Sequence, residues 1–430
     1  MLKRFAVVTV LAIMQALPAT RVPQAAPPAA SAGVTFQDFN GVNYHMPVEL
    51  HRQLGIGWDR EGFAWAGIEP QKGQWSWEKT DGLVRGYGAQ GVQILPLLAY
   101  TAPWAESIAG KDKSPPKSVQ DWEDFVEHVV AHYSSPPFNL RYYQIWNEPT
   151  RQAGFWTGTD QQFIDSLYLP AAKIIRQHHC FVVFGGWPQS NSLQELDNVL
   201  SYHDAWRWTD IVDVHYLNPP AWQHIYDQWI KTGKCRGIWE TEIGYTADPD
   251  FLPNAYLHLL NWTLQSGWND RNQYKVFWFA SWGNANDRLS HLTRPVGTEH
   301  FSLTQNGTEL RTMNEVLGGG PLASFTGFAT SPALPAPLAR APSAVGFKVG
   351  GNRIVVALLL NQATRQAASV QISIPGKPQQ VQLVSAVGVR KPLPISYQGG
   401  KLSLKLAPGD LPMDCPTCQW TVNYLQVDGL

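Results

Sequence analysis

Up to about residue 320 the chain alternates short apolar runs with stretches of helical periodicity. Residues 92–100 (Val-Gln-Ile-Leu-Pro-Leu-Leu-Ala-Tyr) are almost continuously apolar, the pattern of a parallel strand covered on both faces. Residues 119–133 instead set Trp122, Phe125, Val126, Val129 and Val130 three and four apart, which predicts an amphipathic helix. His128 and His132 sit one turn apart on it and are expected to be solvated rather than metal-bound. Further apolar or β-branched runs near 39–44, 56–61, 141–146, 181–187, 211–216, 236–243 and 276–280 complete eight strands, with helical patterns at 80–90 and 160–178. Strands alternating with helices predict an α/β fold, and eight of them suit a (β/α)8 barrel over residues 33–320.

The pattern then changes. Gly318-Gly319-Gly320 and the proline-rich stretch 329–342 read as a linker, placed at 321–343. Beyond it, period-two segments at 345–349, 353–360, 369–374, 380–387, 401–406 and 420–427 predict a C-terminal antiparallel β-sandwich over 344–430. No row of exposed aromatics stands out there, so this domain reads as a structural flank of the barrel.

Two strands end in carboxylates. Residues 141–150 run Arg-Tyr-Tyr-Gln-Ile-Trp-Asn-Glu-Pro-Thr, and Pro149 cannot continue a sheet ladder. Glu148 is thus presented at the C-terminal end of a strand, where barrel enzymes keep their reacting groups. An isolated Asn-Glu-Pro would be read as a loop cap. Residues 236–245 (Arg-Gly-Ile-Trp-Glu-Thr-Glu-Ile-Gly-Tyr) supply Glu240 and Glu242, which strict alternation places on the same side. A pair of carboxylates on different strand ends is what glycosidic cleavage requires, one as proton donor and one as nucleophile.

Asn147-Glu148-Pro149 together with Thr241-Glu242-Ile243-Gly244 resembles clan A of the glycoside hydrolases, retaining enzymes built on a (β/α)8 barrel. Residues 63–77, with Gly67-Ile68-Glu69-Pro70 and Trp75-Ser76-Trp77, are similar to family 39, which holds β-xylosidases, iduronidases and Psl-type exopolysaccharide glycosidases. The resemblance implies Glu148 as general acid/base, protonated when the leaving group departs, and Glu242 as an ionised nucleophile. It implies substrate contacts from Asn147, Arg60, His45, Trp104, His215, Tyr216 and Trp278, with Arg60 beside the nucleophile and Trp278 as the aromatic floor of the sugar site. Clan members commonly separate the His and Tyr of strand six by one residue. Here His215 and Tyr216 are adjacent, which leaves open which of them faces the site. Asp287 and His291 are further candidate contacts. The chemistry implied needs no metal and no organic cofactor.

Composition narrows the partners. A net charge of −1 argues against nucleic acid, and nineteen tryptophans favour a glycan ligand, since aromatic faces stack on sugar C–H faces. Met1-Leu-Lys-Arg4 followed by an apolar run to Leu17 reads as a secretory signal, with a Pro/Ala-rich tail to residue 32. The run is too short to span a bilayer, so the mature chain is expected to be secreted or periplasmic, without an integral span. In an oxidising compartment Cys415 and Cys418 are expected to form a local disulfide, while Cys180 and Cys235 either pair or remain two buried thiols. The expectation is a monomeric retaining β-glycosidase acting on a polysaccharide or oligosaccharide, with endo-action on an exopolysaccharide or cell-wall glycan favoured. An exo-acting β-xylosidase-like enzyme, a transglycosylase and a non-catalytic glycan-binding barrel are the alternatives.

Overall fold

The computed structural model describes residues 33–43, 46–244, 250–279, 291–296, 300–334, 342–361, 367–407 and 420–430. The leader, His45, Asp287, Cys415 and Cys418 lie outside these residues. The barrel strands are β1 (Asn40–Asn43), β2 (Trp58–Phe63), β3 (Gln93–Leu98), β4 (Tyr142–Ile145), β5 (Phe181–Val183), the two-residue β6 (Trp187–Pro188), β7 (Ile211–His215), β8 (Gly237–Gly244) and β9 (Tyr274–Phe279). Neighbours pair in parallel in chain order. Val183 opposite Ile211 joins β5 to β7, and Asn40 opposite Val276 joins β1 to β9 and closes the barrel.

Helices form where the patterns place them. The helix Val119–Ser134 buries Trp122, Phe125, Val126, Val129 and Val130, and the Ser118 hydroxyl caps its first turn by accepting from the Asp121 N–H. His128 and His132 are not simply solvated. Their rings stack on Trp75 and Trp77 at 4.0 and 4.4 Å, and His132 is also 2.8 Å from Asp81. Cys180 and Cys235 are both buried and unpaired with each other; burial pushes the Cys180 thiol up to about 11.

The barrel interior is layered by the two-residue strand period. Trp58, Leu95, Tyr142, Phe181, Val183, Ile211, Trp239 and Phe277 fill one end as a separate apolar cluster. Two residues further along their strands stand Arg60, Gln144, Asp213 and Thr241, all buried. An aromatic plug therefore closes the barrel beneath a polar floor. Lys275 points into the plug, its ammonium 4.5 Å from the Trp58 ring, and donates to the Asp38 and Arg271 carbonyls.

The C-terminal domain is a two-sheet sandwich. One sheet orders β12 (Leu322–Ser324), β14 (Ala344–Val349), β15 (Arg353–Asn361), β21 (Trp420–Asp428), β17 (Gln380–Ser385) and β18 (Arg390–Pro392). The other orders β13 (Phe328–Ser331), β16 (Ala368–Ser373), β20 (Lys401–Leu406) and β19 (Ser396–Gln398), while β10 (Thr293–Val296) and β11 (His300–Leu303) form a separate hairpin. β12 and β13 fall in the stretch expected to be linker, so 321–343 is not a linker throughout; its first half already pairs with β14 and β16. β15 is buried on both faces. Ile354, Val356 and Leu358 meet the outer sheet, whereas Val355, Ala357 and Leu359 join the core of the barrel. That shared core packs the sandwich on the barrel as one body of apolar contacts.

Candidate active site

The ends of β4, β7 and β8 bring the key side chains together by breaking strand alternation. Trp146 and Glu148 have φ of 69° and 44°, left-handed values that a non-glycine residue adopts only where its surroundings hold it. Trp146 is locked by burial and by its indole donating to the Phe155 carbonyl at 2.8 Å. The turn so formed sends Asn147 and Glu148 to the same place. Tyr216 repeats the device at φ 57°. The adjacent His215 and Tyr216 thereby both face the site, which resolves what their spacing left open.

On β8 the register slips by a bulge between Glu240 and Ile243. Glu240 and Glu242 consequently do not share a face, contrary to the expectation from strict alternation. Glu240 is fully buried against the helix Pro219–Ile225, accepting from the Trp222 indole (2.7 Å) and the Leu217 N–H (2.8 Å). Burial holds its carboxyl well above the usual carboxylate range. Glu242 turns into the barrel mouth.

There the Arg60 guanidinium organises four partners. Its Nη1 donates to Glu242 Oε1 at 2.7 Å and to Asn43 Oδ1 at 3.2 Å, Nη2 to Asn147 Oδ1 at 2.6 Å, and Nε to Gln144 Oε1 at 2.6 Å. With its oxygen engaged, Asn147 has its amide N–H left to offer a ligand. The Tyr216 hydroxyl donates to Glu242 Oε2 at 3.0 Å. Burial and the Glu242 charge hold the Tyr216 phenol well above its ordinary pKa, so it stays a donor. For Glu242 itself burial opposes ionisation, but His215 and Arg60 outweigh it and hold the carboxyl below its ordinary value.

Glu148 has a different neighbour. His215 Nδ1 lies 2.8 Å from Glu148 Oε1 and 3.7 Å from Glu242 Oε2. The other ring nitrogen, Nε2, is 3.1 Å from Thr241 Oγ1. That hydroxyl spends its single proton on Asp213 Oδ2 at 2.7 Å, so its oxygen accepts and His215 Nε2 must carry a hydrogen. One proton is then shared across the Nδ1–Oε1 contact. It sits on Glu148 beside a neutral imidazole, or on the imidazole beside a carboxylate. Asp213 also accepts from the Thr241 N–H (3.0 Å) and from the Gln144 amide; burial pushes its carboxyl up to about 6 despite His215 and Arg60. Gly186 makes room for this ring: a Cβ there would lie 2.2 Å from His215 Nε2.

Glu148, His215 and Glu242 present their oxygen and nitrogen atoms within 4.8 Å of one another. Such a cluster has ligand chemistry for a cation, but the Arg60 guanidinium already pairs with Glu242, which disfavours one. An oxygen of Glu148 and an oxygen of Glu242 thus lie within 4.8 Å of each other, so the two carboxyl groups face one another across the barrel mouth.

Two expected contacts are not brought to the carboxylates. Trp278 is fully buried and packs on Phe251 and Tyr256 of the helix Phe251–Gln265, because alternation on β9 turns it outward; Phe279, whose ring is 6.4 Å from that of Tyr216, faces the site instead. His291 is buried, its carbonyl accepting from the Thr304 hydroxyl. Trp104 does sit on the loop after β3, its indole donating to the Glu69 carbonyl at 2.9 Å and its ring edge-on to Trp65. Gln144, Asp213 and Thr241 were missed by the sequence reading. Their signal was a polar residue two positions beyond an apolar one inside otherwise apolar strands.

A barrel with a sandwich packed on its flank and paired carboxylates at its mouth is the architecture of the clan A glycoside hydrolases. No protein-family model matches the chain. Among curated proteins it is similar to a β-xylosidase of Caldicellulosiruptor saccharolyticus, 30% identical over 77 residues, or 17% of this chain and 16% of that enzyme, well under two thirds of the relative's length. Among solved structures it resembles a family 39 glycoside hydrolase from Bacteroides cellulosilyticus WH2 (TM-score 0.59, 15% identity, 92% of this chain and 82% of that one). It also resembles the family 39 enzyme of Xanthomonas axonopodis pv. citri (0.59, 14%, 96% and 100%) and a family 30 endoxylanase of Clostridium papyrosolvens C71 (0.57, 12%, 93% and 98%). At these identities the likeness establishes the fold, across both domains.

Proposed function

We propose that the protein is a secreted retaining β-glycoside hydrolase that cleaves within a polysaccharide by double displacement. The observation that carries this reading is the unequal surroundings of two carboxyl groups less than 5 Å apart at their nearest atoms, Glu242 on Arg60 and Tyr216, Glu148 on His215. Glu242, kept ionised, attacks the anomeric carbon while Glu148 gives its proton to the departing glycosidic oxygen. The Tyr216 hydroxyl and Arg60 orient the attacking carboxylate. In the second step water adds to the glycosyl-enzyme ester, and Glu148, now a carboxylate, takes the water's proton. The Glu148–His215 contact suits both steps: it holds the proton that leaves with the glycosidic oxygen in the first, and it takes up the one that water gives back in the second. Asn147, its oxygen fixed by Arg60, offers an N–H to a sugar hydroxyl.

Secretion rests on the leader sequence, and the endo preference on the absence of any large insertion in the loop from Thr150 to Thr159. The short match to a β-xylosidase favours, as a second reading, exo-action on β-xylosides. The deciding experiment follows an aryl β-glycoside and a soluble β-linked polysaccharide by proton NMR and chain-length analysis. A β-configured first product with an early fall in polymer length supports the proposal. An α-configured first product overturns retention, and monosaccharide release at constant polymer length overturns endo-action.

A further inference from the structure

A second cleft of about 750 Å³ opens where the sandwich meets the barrel, within the range of about 300–1,000 Å³ typical of small-ligand sites. One wall comes from the helices Pro219–Ile225 and Phe251–Gln265, the other from the segment joining β12 to β13 and from the start of β14. Its chemistry is uniform in one respect: among the described residues no Asp, Glu, Lys or Arg lines it. The lining combines aromatic faces with side-chain amides and a hydroxyl. Phe325 and Phe328 stack at 6.3 Å on the sandwich side, with Gly346 letting Phe328 close up, since a Cβ there would lie 2.7 Å from its ring. Trp262 faces them from the barrel side, its indole N–H held by Gln223.

The polar groups are not consumed by the fold. Among the described residues the side chains of Asn261, Gln265 and Thr326 make no hydrogen bond within the protein. The stronger sign is His258, which lines the cleft only 7% exposed, with Nε2 lacking any partner. A buried imidazole nitrogen without a partner costs free energy unless something from outside satisfies it. Burial holds His258 down to about 4, so the ring in the cleft wall is neutral.

We propose that this cleft is a second, non-catalytic carbohydrate site that holds a neutral stretch of a glycan chain. Aromatic walls fit the C–H faces of pyranose rings, amides and a neutral imidazole pair with hydroxyl groups, and the described lining offers no charge to an anionic or cationic ligand. Asn218, on its lip, follows Tyr216 by two residues, so the cleft begins at the catalytic end of the barrel. The sandwich is then a wall of a binding site as well as a structural flank. The inference rests on the glycosidase reading for its choice of ligand, and its test is separable from that reading.

The full chain inactivated by Glu242→Gln is titrated calorimetrically with xylohexaose, cellohexaose and laminarihexaose. The same titration is made with Gln265→Ala/Thr326→Ala added, two exposed changes that remove no internal hydrogen bond. Two binding events are expected for at least one hexasaccharide, one of them weakened about tenfold by the double variant, as two lost hydrogen bonds imply. In the active enzyme the double variant should keep aryl glycoside turnover and thermal midpoint but lose retention on the polysaccharide in affinity electrophoresis. A Trp262→Phe variant should keep most of that retention. A single event with every hexasaccharide, or binding and retention indifferent to the double variant, overturns the second site. If the unmodified enzyme cleaves nothing, the glycosidase reading fails, and the titration still decides the cleft.

Discussion

His215 Nδ1 stands 2.8 Å from Glu148 Oε1, on a ring whose far nitrogen is tied through Thr241 to Asp213. The contact gives the two carboxyl groups unlike surroundings. Glu148 has a partner that can hold or return a proton, whereas Glu242 has a guanidinium that cannot give one up. Four expectations follow from the geometry.

Removing each carboxylate should give opposite stereochemistry on rescue. Glu242→Ala abolishes the nucleophile, so all substrates suffer, and added azide should yield an α-glycosyl azide from a β-glycoside. Glu148→Ala should cost about 10²–10⁴-fold on substrates with poor leaving groups and little on activated aryl glycosides, with azide giving the β-azide. Identical losses on all substrates without rescue would overturn these roles.

Arg60→Gln removes the charge that opposes burial at Glu242. A carboxyl depressed in the folded enzyme ionises at lower pH than it otherwise would, so losing the guanidinium should move the acid limb of the kcat/KM profile to higher pH. Turnover should also fall, by about 10²–10³-fold if orientation is lost with the charge. An acid limb that stays in place would show that Arg60 does not set it.

Glu240→Gln should spare the chemistry. Its oxygens accept from Trp222 and Leu217 behind the strand, so the change should cost about 1–3 kcal/mol of stability and leave kcat within a few-fold. Chemical denaturation and steady-state rates on the same preparation read both. Collapse of activity at full stability would return Glu240 to the site.

At the junction of barrel and sandwich, burial and the neighbouring Asp250 carboxylate raise Glu309 well above its ordinary value. A carboxyl raised on folding contributes fully below its unfolded pKa of about 4.3 and loses that contribution as pH rises toward the folded pKa. Glu309→Gln keeps the amide neutral, so its melting temperature should decline less with pH than that of the unmodified protein between pH 5 and 8, roughly the span over which such groups matter. Parallel melting curves for the two would remove Glu309 as the cause.

What the amino-acid order determined by itself was local and periodic. Near-continuous apolar runs such as Ile94 to Leu98 suit strands covered on both faces, as in a parallel barrel, and Asn147-Glu148-Pro149 ends its strand because proline offers no N–H to a ladder. The barrel and the sandwich were legible on those grounds, whereas the choice of Glu242 over Glu240 as partner of Glu148 came from the resemblance to clan A. Tertiary structure decided which way side chains face once the alternation is broken. The bulge on β8 sends Glu240 outward and Glu242 inward, and left-handed Glu148 and Tyr216 point where regular strands would not. Such conformations are unfavourable locally and persist because packing around them, as at Trp146, is worth more than their strain. Asp213, Thr241 and Gln144 meet under His215 only because barrel closure brings three distant strands to one layer, and Trp278 is withheld because the same closure faces it to a helix. The cleft lined by His258 exists only between two domains, so no pattern within either one announces it.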